Sequence, residues 1–311
     1  MYPIKMNPVF KSYLWGGSRL KEKYGKNSPY DITAESWEVA AHKNGESTAA
    51  NGEYEGMTIA EITAVLKEKL LGDKVYKGDD TKFPLLVKFI DAKDNLSIQV
   101  HPNDEYANKN ENGESGKTEM WYVLEAEPSA GLIYGFKHDI TKEQFEKSIK
   151  DNTLLEYTNF VECKKGDCFF IPSGMLHAIC KGLIIAEIQQ NSDTTYRVYD
   201  YDRRDKDGNP RQLHVAKAVD VTNLHASKNS VNCDIKSGNL VKCDYFTTDK
   251  ITVDGVHEYH VDKDRFEILI LCEGEASVNG VPCKKGDSLL IPAYIGDVKI
   301  EGQGVFLRSF V

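Results

Sequence analysis

The chain has 311 residues, 41% of them hydrophobic and 28% charged, with a formal net charge of -9. That length allows one large domain or two ordinary ones with buried cores, and the composition is that of a globular protein. An acidic chain repels nucleic acid and anionic lipid, which excludes both as main partners while leaving room for a local basic pocket that takes a small anion.

The first residues, Met1 to Pro8, hold no apolar stretch of the secretion type, and no run approaches the roughly 20 apolar residues that cross a bilayer. The expectation is a cytoplasmic protein without a membrane partner. Thr58-Ile-Ala-Glu61 has the form of a capping box. Ile62, Val65, Leu66 and Leu70 follow at helical spacing, which predicts one helix ended by Gly72. A short helix is expected after Pro102, a residue suited to a first helical position. Thr141-Lys-Glu-Gln144 predicts another helix, running to about Leu155. The remainder reads as short strands separated by Gly, Pro, Asn and Asp, clearest at residues 85–90, 120–124, 168–171, 183–188 and 268–272. Many short strands with turn punctuation predict a mainly β fold of the sandwich or jelly-roll kind. Seven cysteines, at 163, 168, 180, 233, 243, 272 and 283, include no C-x-x-C pair. An odd number without that spacing predicts reduced thiols acting as small hydrophobes.

A repeat organises the chain. Cys163-Lys-Lys-Gly-Asp-Cys-Phe-Phe-Ile-Pro172 returns as Cys283-Lys-Lys-Gly-Asp-Ser-Leu-Leu-Ile-Pro292, identical at seven of ten positions. Glu119 to Glu127 (EMWYVLEAE) is echoed by Glu267 to Glu275 (EILILCEGE), again ahead of the Gly-Asp turn. Two segments repeated in one order predict two copies of a β unit. The polar stretch 222–232 is the expected joint. The division is then 1–225, carrying the helical insertions, and 226–311.

The chemistry-bearing residues gather in the first copy. Gly166 to His177 fits G-x5-P-x-G-x2-H and resembles the second motif of the cupin superfamily. Gly166-Asp167 makes a turn, a strand runs to Pro172, and Pro-Ser-Gly reverses the chain to aim His177 inward. A lone histidine there would be an ordinary core residue; three partners alter that reading. Ser97-Ile-Gln99-Val-His101 alternates as a strand does, so Ser97, Gln99 and His101 share a face. Glu119 opens the next strong strand. Two imidazoles, a carboxylate and an amide oxygen suit zinc with water at an open position. The alternative is a buried hydrogen-bond network without metal.

Leu96-Ser-Ile-Gln-Val-His-Pro102, Lys117-Thr-Glu-Met120, the run from Glu187 to Arg197 (EIQQNSDTTYR), Trp15-Gly-Gly17 and Glu35-Ser-Trp37 together resemble the signatures of type I mannose-6-phosphate isomerases in their compact bacterial form. Many members of that family have Lys-Pro-Glu where this chain has Lys117-Thr118-Glu119. The resemblance implies a fold of two cupin-type jelly-roll units and one zinc ion per chain. It puts the metal ligands on Gln99, His101, Glu119 and His177, and a catalytic arginine on Arg197. Lys117 and Glu187 fall on acid–base positions, and Lys88, Ser97 and Arg203 on substrate contacts. The activity implied is aldose–ketose isomerisation of a small phosphosugar, with a proton moved between carbons 1 and 2 through a cis-enediolate. Oligomeric state is left open.

Two other functions fit the cupin pattern. One is a metal-dependent dioxygenase; such enzymes commonly use three histidines on iron, and here the first position of the H-x-H pair is Gln99. The other is a non-enzymatic sugar-binding cupin, a class in which many members have lost metal ligands that this chain keeps. In the second copy Glu267 answers Glu119, but Asp297 stands where His177 stood and Pro292 is followed by Ala-Tyr-Ile. That half is expected to be structural, a degenerate copy protecting strand edges.

Overall fold

The computed structural model describes residues 1–204, 207–227, 231–232 and 235–311. Cys233 and the middle of the expected joint, residues 228–230, lie outside the described residues. The fold is mainly β, 42% strand and 17% helix. Seven α-helices occur among the described residues. The chain forms two compact units that do not follow chain order. One comprises Met1–Lys11, Ser18–Phe89 and Asp234–Val311; the other comprises Ser12–Gly17 and Ile90–Cys233. The division 1–225 and 226–311 therefore differs from the compact units. The physical reason is long-range strand pairing, since Ile4 and Lys5 pair with Leu290 and Leu289.

The unit built on residues 90–233 contains the first copy. Its strands Glu119–Ala126, Cys168–Ile171 and Leu183–Gln190 pair antiparallel, with Glu119–Ala126 central. Val231–Asn232 adds an edge beside Cys168 and Phe169, so the end of the expected joint is a strand. A second antiparallel sheet runs in the order Thr158–Glu162, Gly131–Phe136, His177–Ile179, Ile98–Val100, Tyr196–Tyr199. Its core holds Ile98, Val100, Phe136, Phe145, Leu176 and Val198, all essentially inaccessible. Phe136 and Phe145 meet edge to face with ring centroids 5.7 Å apart. Burying a side chain of this size stabilises by roughly 1.5–3 kcal/mol. Near the start of this unit, a Cβ on Gly17 would lie 2.5 Å from the Asp91 carboxylate, so a larger residue there would have to displace that side chain.

The other unit is a long antiparallel sheet in the order Gly238–Lys242, Thr247–His260, Asp297–Phe310, Glu267–Val278, Ser288–Ile291, Ile4–Asn7, Thr48–Ala49. Ile251, Leu269, Leu271, Leu289, Ile300 and Phe306 fill its core.

The repeated segments have the same geometry. Glu119 stands opposite Ile171, and Glu267 opposite Ile291. Gly166 and Gly286 have φ of 92° and 94°, a region open to glycine. The Asp167 carboxylate accepts from the Lys164 amide at 2.8 Å, and that of Asp287 from the Lys284 amide at 2.9 Å. The helices are shorter than the periodicity predicts. The capping box at Thr58 forms in both directions, but the helix Ile59–Leu66 stops at Lys67 (φ 52°), and Glu68–Leu71 continues as a separate turn. The capping box at Thr141 likewise starts Lys142–Lys150, and Asn152 (φ 60°) separates it from Leu154–Tyr157. The helix after Pro102 is Asp104–Asn110, with Asn103 as its cap, so Pro102 precedes the cap and is not its first residue.

Candidate metal centre and active site

Two sheets of one unit supply the cluster. His177 begins the strand His177–Ile179 and lies opposite Gln99, which in turn lies opposite Arg197. Paired residues of antiparallel strands share a face, so His177, Gln99 and Arg197 form a row. His101 follows the strand Ile98–Val100, which is shorter than the alternation of residues 97–101 predicts. On the other sheet, Glu119 faces Gln189 and Trp121 faces Glu187.

His101, Glu119 and His177 each offer a ligand atom, and these atoms lie within 4.8 Å of one another. All three residues are buried. Glu119 Oε1 is 3.3 Å from His177 Nε2 and 3.8 Å from His101 Nε2. The imidazoles are held by their other nitrogens: His177 Nδ1 lies 2.8 Å from the Met175 carbonyl and His101 Nδ1 2.8 Å from the Thr194 carbonyl. A carbonyl partner requires the proton on Nδ1, which turns the Nε2 lone pair inward. His177 Nε2 is buried and makes no hydrogen bond. Burial, helped by the charge of Lys117, pushes His177 down to about 3, so its ring is neutral at ordinary pH. Two imidazoles with Nε2 aimed at a carboxylate are the donor set a divalent cation of borderline softness takes, so these residues fit a metal.

Lys117, two residues before Glu119, shares its face as strand alternation predicts. Its ammonium donates to Glu119 Oε2 and lies 3.2 Å from His101 Nε2 and 3.8 Å from Glu187 Oε1. Glu187 is held by the Trp121 indole, which donates to Oε2 at 2.9 Å. Ser97 donates to Gln99 Oε1 at 3.3 Å and accepts from Arg197 Nε at 3.1 Å. Thus His101, Glu119, His177, Lys117 and Glu187 form one constellation, and Ser97, Gln99 and Arg197 a second that joins it through the pairing of Gln99 with His177. Lys88 belongs to the other compact unit. There it is buried, 4.0 Å from Glu35 and 5.1 Å from the Trp37 ring centre. Arg203 lies in the first copy's unit and is bound to Asp200 at 2.6 Å.

The amino-acid pattern did not single out Trp121, Asp200 or Arg211. The Trp121 signal was present, since it alternates with Glu119 on one strand. Asp200 and Arg211 meet across an irregular segment that carries no periodicity.

Residues 4–129 match the model of the phosphomannose isomerase type I catalytic domain, and residues 236–311 that of the mannose-6-phosphate isomerase cupin domain. Mannose-6-phosphate isomerase ManA of Bacillus subtilis (strain 168) is 41% identical over 99% of this chain and 98% of its own length. The chain belongs to the type I phosphomannose isomerase family. Another family member, the mannose-6-phosphate isomerase of Streptococcus mutans, is 35% identical over 99% of this chain and 98% of its own. A solved phosphomannose isomerase structure, that of the Bacillus subtilis mannose 6-phosphate isomerase, superposes with a TM-score of 0.91 at 37% identity over the whole of both chains. The isomerase family, and not the cupin dioxygenases or the sugar-binding cupins, is thus the setting in which the cluster is read.

Proposed function

We propose that the chain interconverts mannose 6-phosphate and fructose 6-phosphate with one zinc ion per chain, held by Gln99, His101, Glu119 and His177. The carrying observation is the buried Lys117–Glu187 pair beside two imidazoles whose Nε2 atoms face Glu119. Zinc bound there would supply Lewis-acid charge for the sugar oxygens. The chain's own groups account for the rest. An aldose becomes a ketose when the proton on carbon 2 leaves, a cis-enediolate forms, and a proton reaches carbon 1. Lys117 and Glu187 are the groups that we assign to this transfer. Trp121 fixes one Glu187 oxygen, and the other stands 3.8 Å from the Lys117 ammonium, so both groups border the same space. Arg197, tied to Ser97, meets the negative charge that grows on the enediolate oxygen. Burial and the neighbouring charge of Arg211 push the Arg197 guanidinium down, yet an arginine stays charged. Ser97 and Lys88 are assigned to substrate contact, and Arg203 to the phosphate side.

The partner is a small phosphosugar, and neither nucleic acid nor membrane enters the scheme. No helix of the described residues is long and apolar enough to cross a membrane. We place the reaction in the reducing cytoplasm, where cysteines stay reduced. Residues 1–225 are proposed to carry the chemistry and 226–311 to carry none.

The test is turnover of mannose 6-phosphate in deuterated water, with and without a chelator. Chelator-sensitive activity and deuterium at carbon 1 of the fructose 6-phosphate are expected. Full retention of the original hydrogen at long times, with Lys117→Met and Glu187→Gln as active as wild type, would contradict the proton route.

A further inference from the structure

Three guanidinium groups gather near one carboxylate at the end of the strand Tyr196–Tyr199. Asp200 is buried, with 6% of its side chain exposed. It accepts from Arg203 Nη2 at 2.6 Å, and from Arg211 Nε at 2.7 Å and Nη2 at 2.5 Å. Burial works against its charge, but the Arg211 hydrogen bonds and both arginine charges hold its carboxyl below the usual range. The backbone reaches this arrangement through Tyr201 and Asp202, consecutive non-glycine residues at φ 55° and 51°. Such strain persists where the surroundings over-determine it.

The hydrogen-bond count separates the arginines. Arg203 uses all three of its nitrogens: Nη2 on Asp200, Nε on the Asp200 carbonyl, Nη1 on the Asn95 carbonyl. Arg211 engages Asp200 through Nε and Nη2 alone, and its side chain is 30% exposed. Arg197 engages Ser97 and, through Nη1, the carbonyl of Gln212, the residue after Arg211. Among the described residues, Arg211 Nη1 and Arg197 Nη2 thus remain as donors. Two arginines on one carboxylate leave a net positive charge, and Arg197 adds to it. A structural ion pair needs only one arginine; an uncompensated cluster in a chain of net charge -9 is what an anion site requires.

We infer that Arg211 is a substrate-contact residue that binds the phosphate of the sugar, and that Asp200 and Arg203 are positioning residues that hold it. This rests on the phosphosugar reading above. It gives the site a specificity element: the bidentate hold of Asp200 fixes the plane of Arg211, so its free edge is presented without loss of side-chain freedom on binding.

Two measurements on the metal-loaded protein test the assignment. The first is steady-state kinetics with mannose 6-phosphate; the second is equilibrium binding of inorganic phosphate by calorimetry. Arg211→Ala should raise KM and the phosphate Kd together, by roughly ten- to a hundred-fold, with kcat nearly unchanged. Arg211→Lys, which keeps the charge and loses the fork, should lie between and covers the case in which the alanine variant does not fold. A purely structural role would lower the melting temperature without moving the phosphate Kd. Unchanged KM and phosphate Kd in both variants, with wild type active, would overturn the Arg211 assignment and leave the isomerase reading intact. A wild type that does not turn over mannose 6-phosphate would sink that reading. Phosphate binding would then decide the anion site alone: loss in Arg211→Ala upholds it, and no loss refutes it.

Discussion

Glu119 and Glu267 occupy equivalent places in two copies of one β motif, opposite Ile171 and Ile291, and both are buried. Their surroundings differ. Glu119 has two imidazoles and a lysine around it. Glu267 is raised by burial and held in check by the charge of Arg308. By strand register, Arg308 sits across from Leu269 as Glu187 sits across from Trp121, so a fixed cation replaces an acid. Asp297 begins its strand as His177 does, but 91% of its side chain is exposed, and it bonds His260 at the surface at 2.7 Å. The difference teaches how one scaffold separates chemistry from support. Glu119 and Glu187 share a single buried ammonium, that of Lys117, which leaves negative charge for a bound metal to balance, whereas Glu267 has the charge of Arg308 nearby.

The largest test of that contrast is His177→Ala against Asp297→Ala. The first should lower kcat/KM far beyond the roughly 10–100-fold loss typical of groups that only orient a ligand, and the second should leave it unchanged. Equal losses would break the comparison. Next, Arg197→Ala should reduce kcat by roughly a hundred- to a thousand-fold, as removal of a transition-state donor does, measured at saturating substrate. Arg308→Met should act on stability alone. It leaves both Asp249, which Arg308 bonds at 2.7 Å, and buried Glu267 without that cation, and should lower the unfolding free energy by about 3 kcal/mol, read by denaturant titration. Adding Glu267→Gln should restore part of that loss; an additive further loss would show that Arg308 does not balance Glu267. The smallest effects should come from the two turns. Asp167→Asn and Asp287→Asn each weaken one bond to a backbone amide and should cost about 1 kcal/mol. Asp287 should cost slightly more because Lys5 also pairs with it at 2.6 Å. Unequal costs of several kcal/mol would mean that the copies are not equivalent in their turns.

Much of this contrast was legible in the amino-acid order because it rests on local rules. Strand alternation put Lys117 and Glu119 on one face, and Ser97, Gln99 and His101 on one face of their own strand. The Gly-Asp turns and their Glu-led strands announced the repeat, and the structure reproduces it down to matching φ angles at Gly166 and Gly286. The helix breaks were not legible, because Lys67 and Asn152 adopt left-handed φ without a glycine to mark them. The compact units were hidden because Ile4–Asn7 joins a sheet whose other strands lie more than 230 residues later or, at Thr48–Ala49, about 40 later. The clamp of Asp200 on Arg203 and Arg211 was hidden for a related reason: it is a tertiary contact made across an irregular segment, with no period to betray it.

Only the first copy is predicted to take a metal. The most direct test is to strip the protein with chelator, add back zinc, and count bound ions by native mass spectrometry. One tightly bound zinc per chain is predicted, absent from His101→Ala/His177→Ala and retained in Asp297→Ala. Two tightly bound ions per chain, or an ion retained by the double variant, would contradict it.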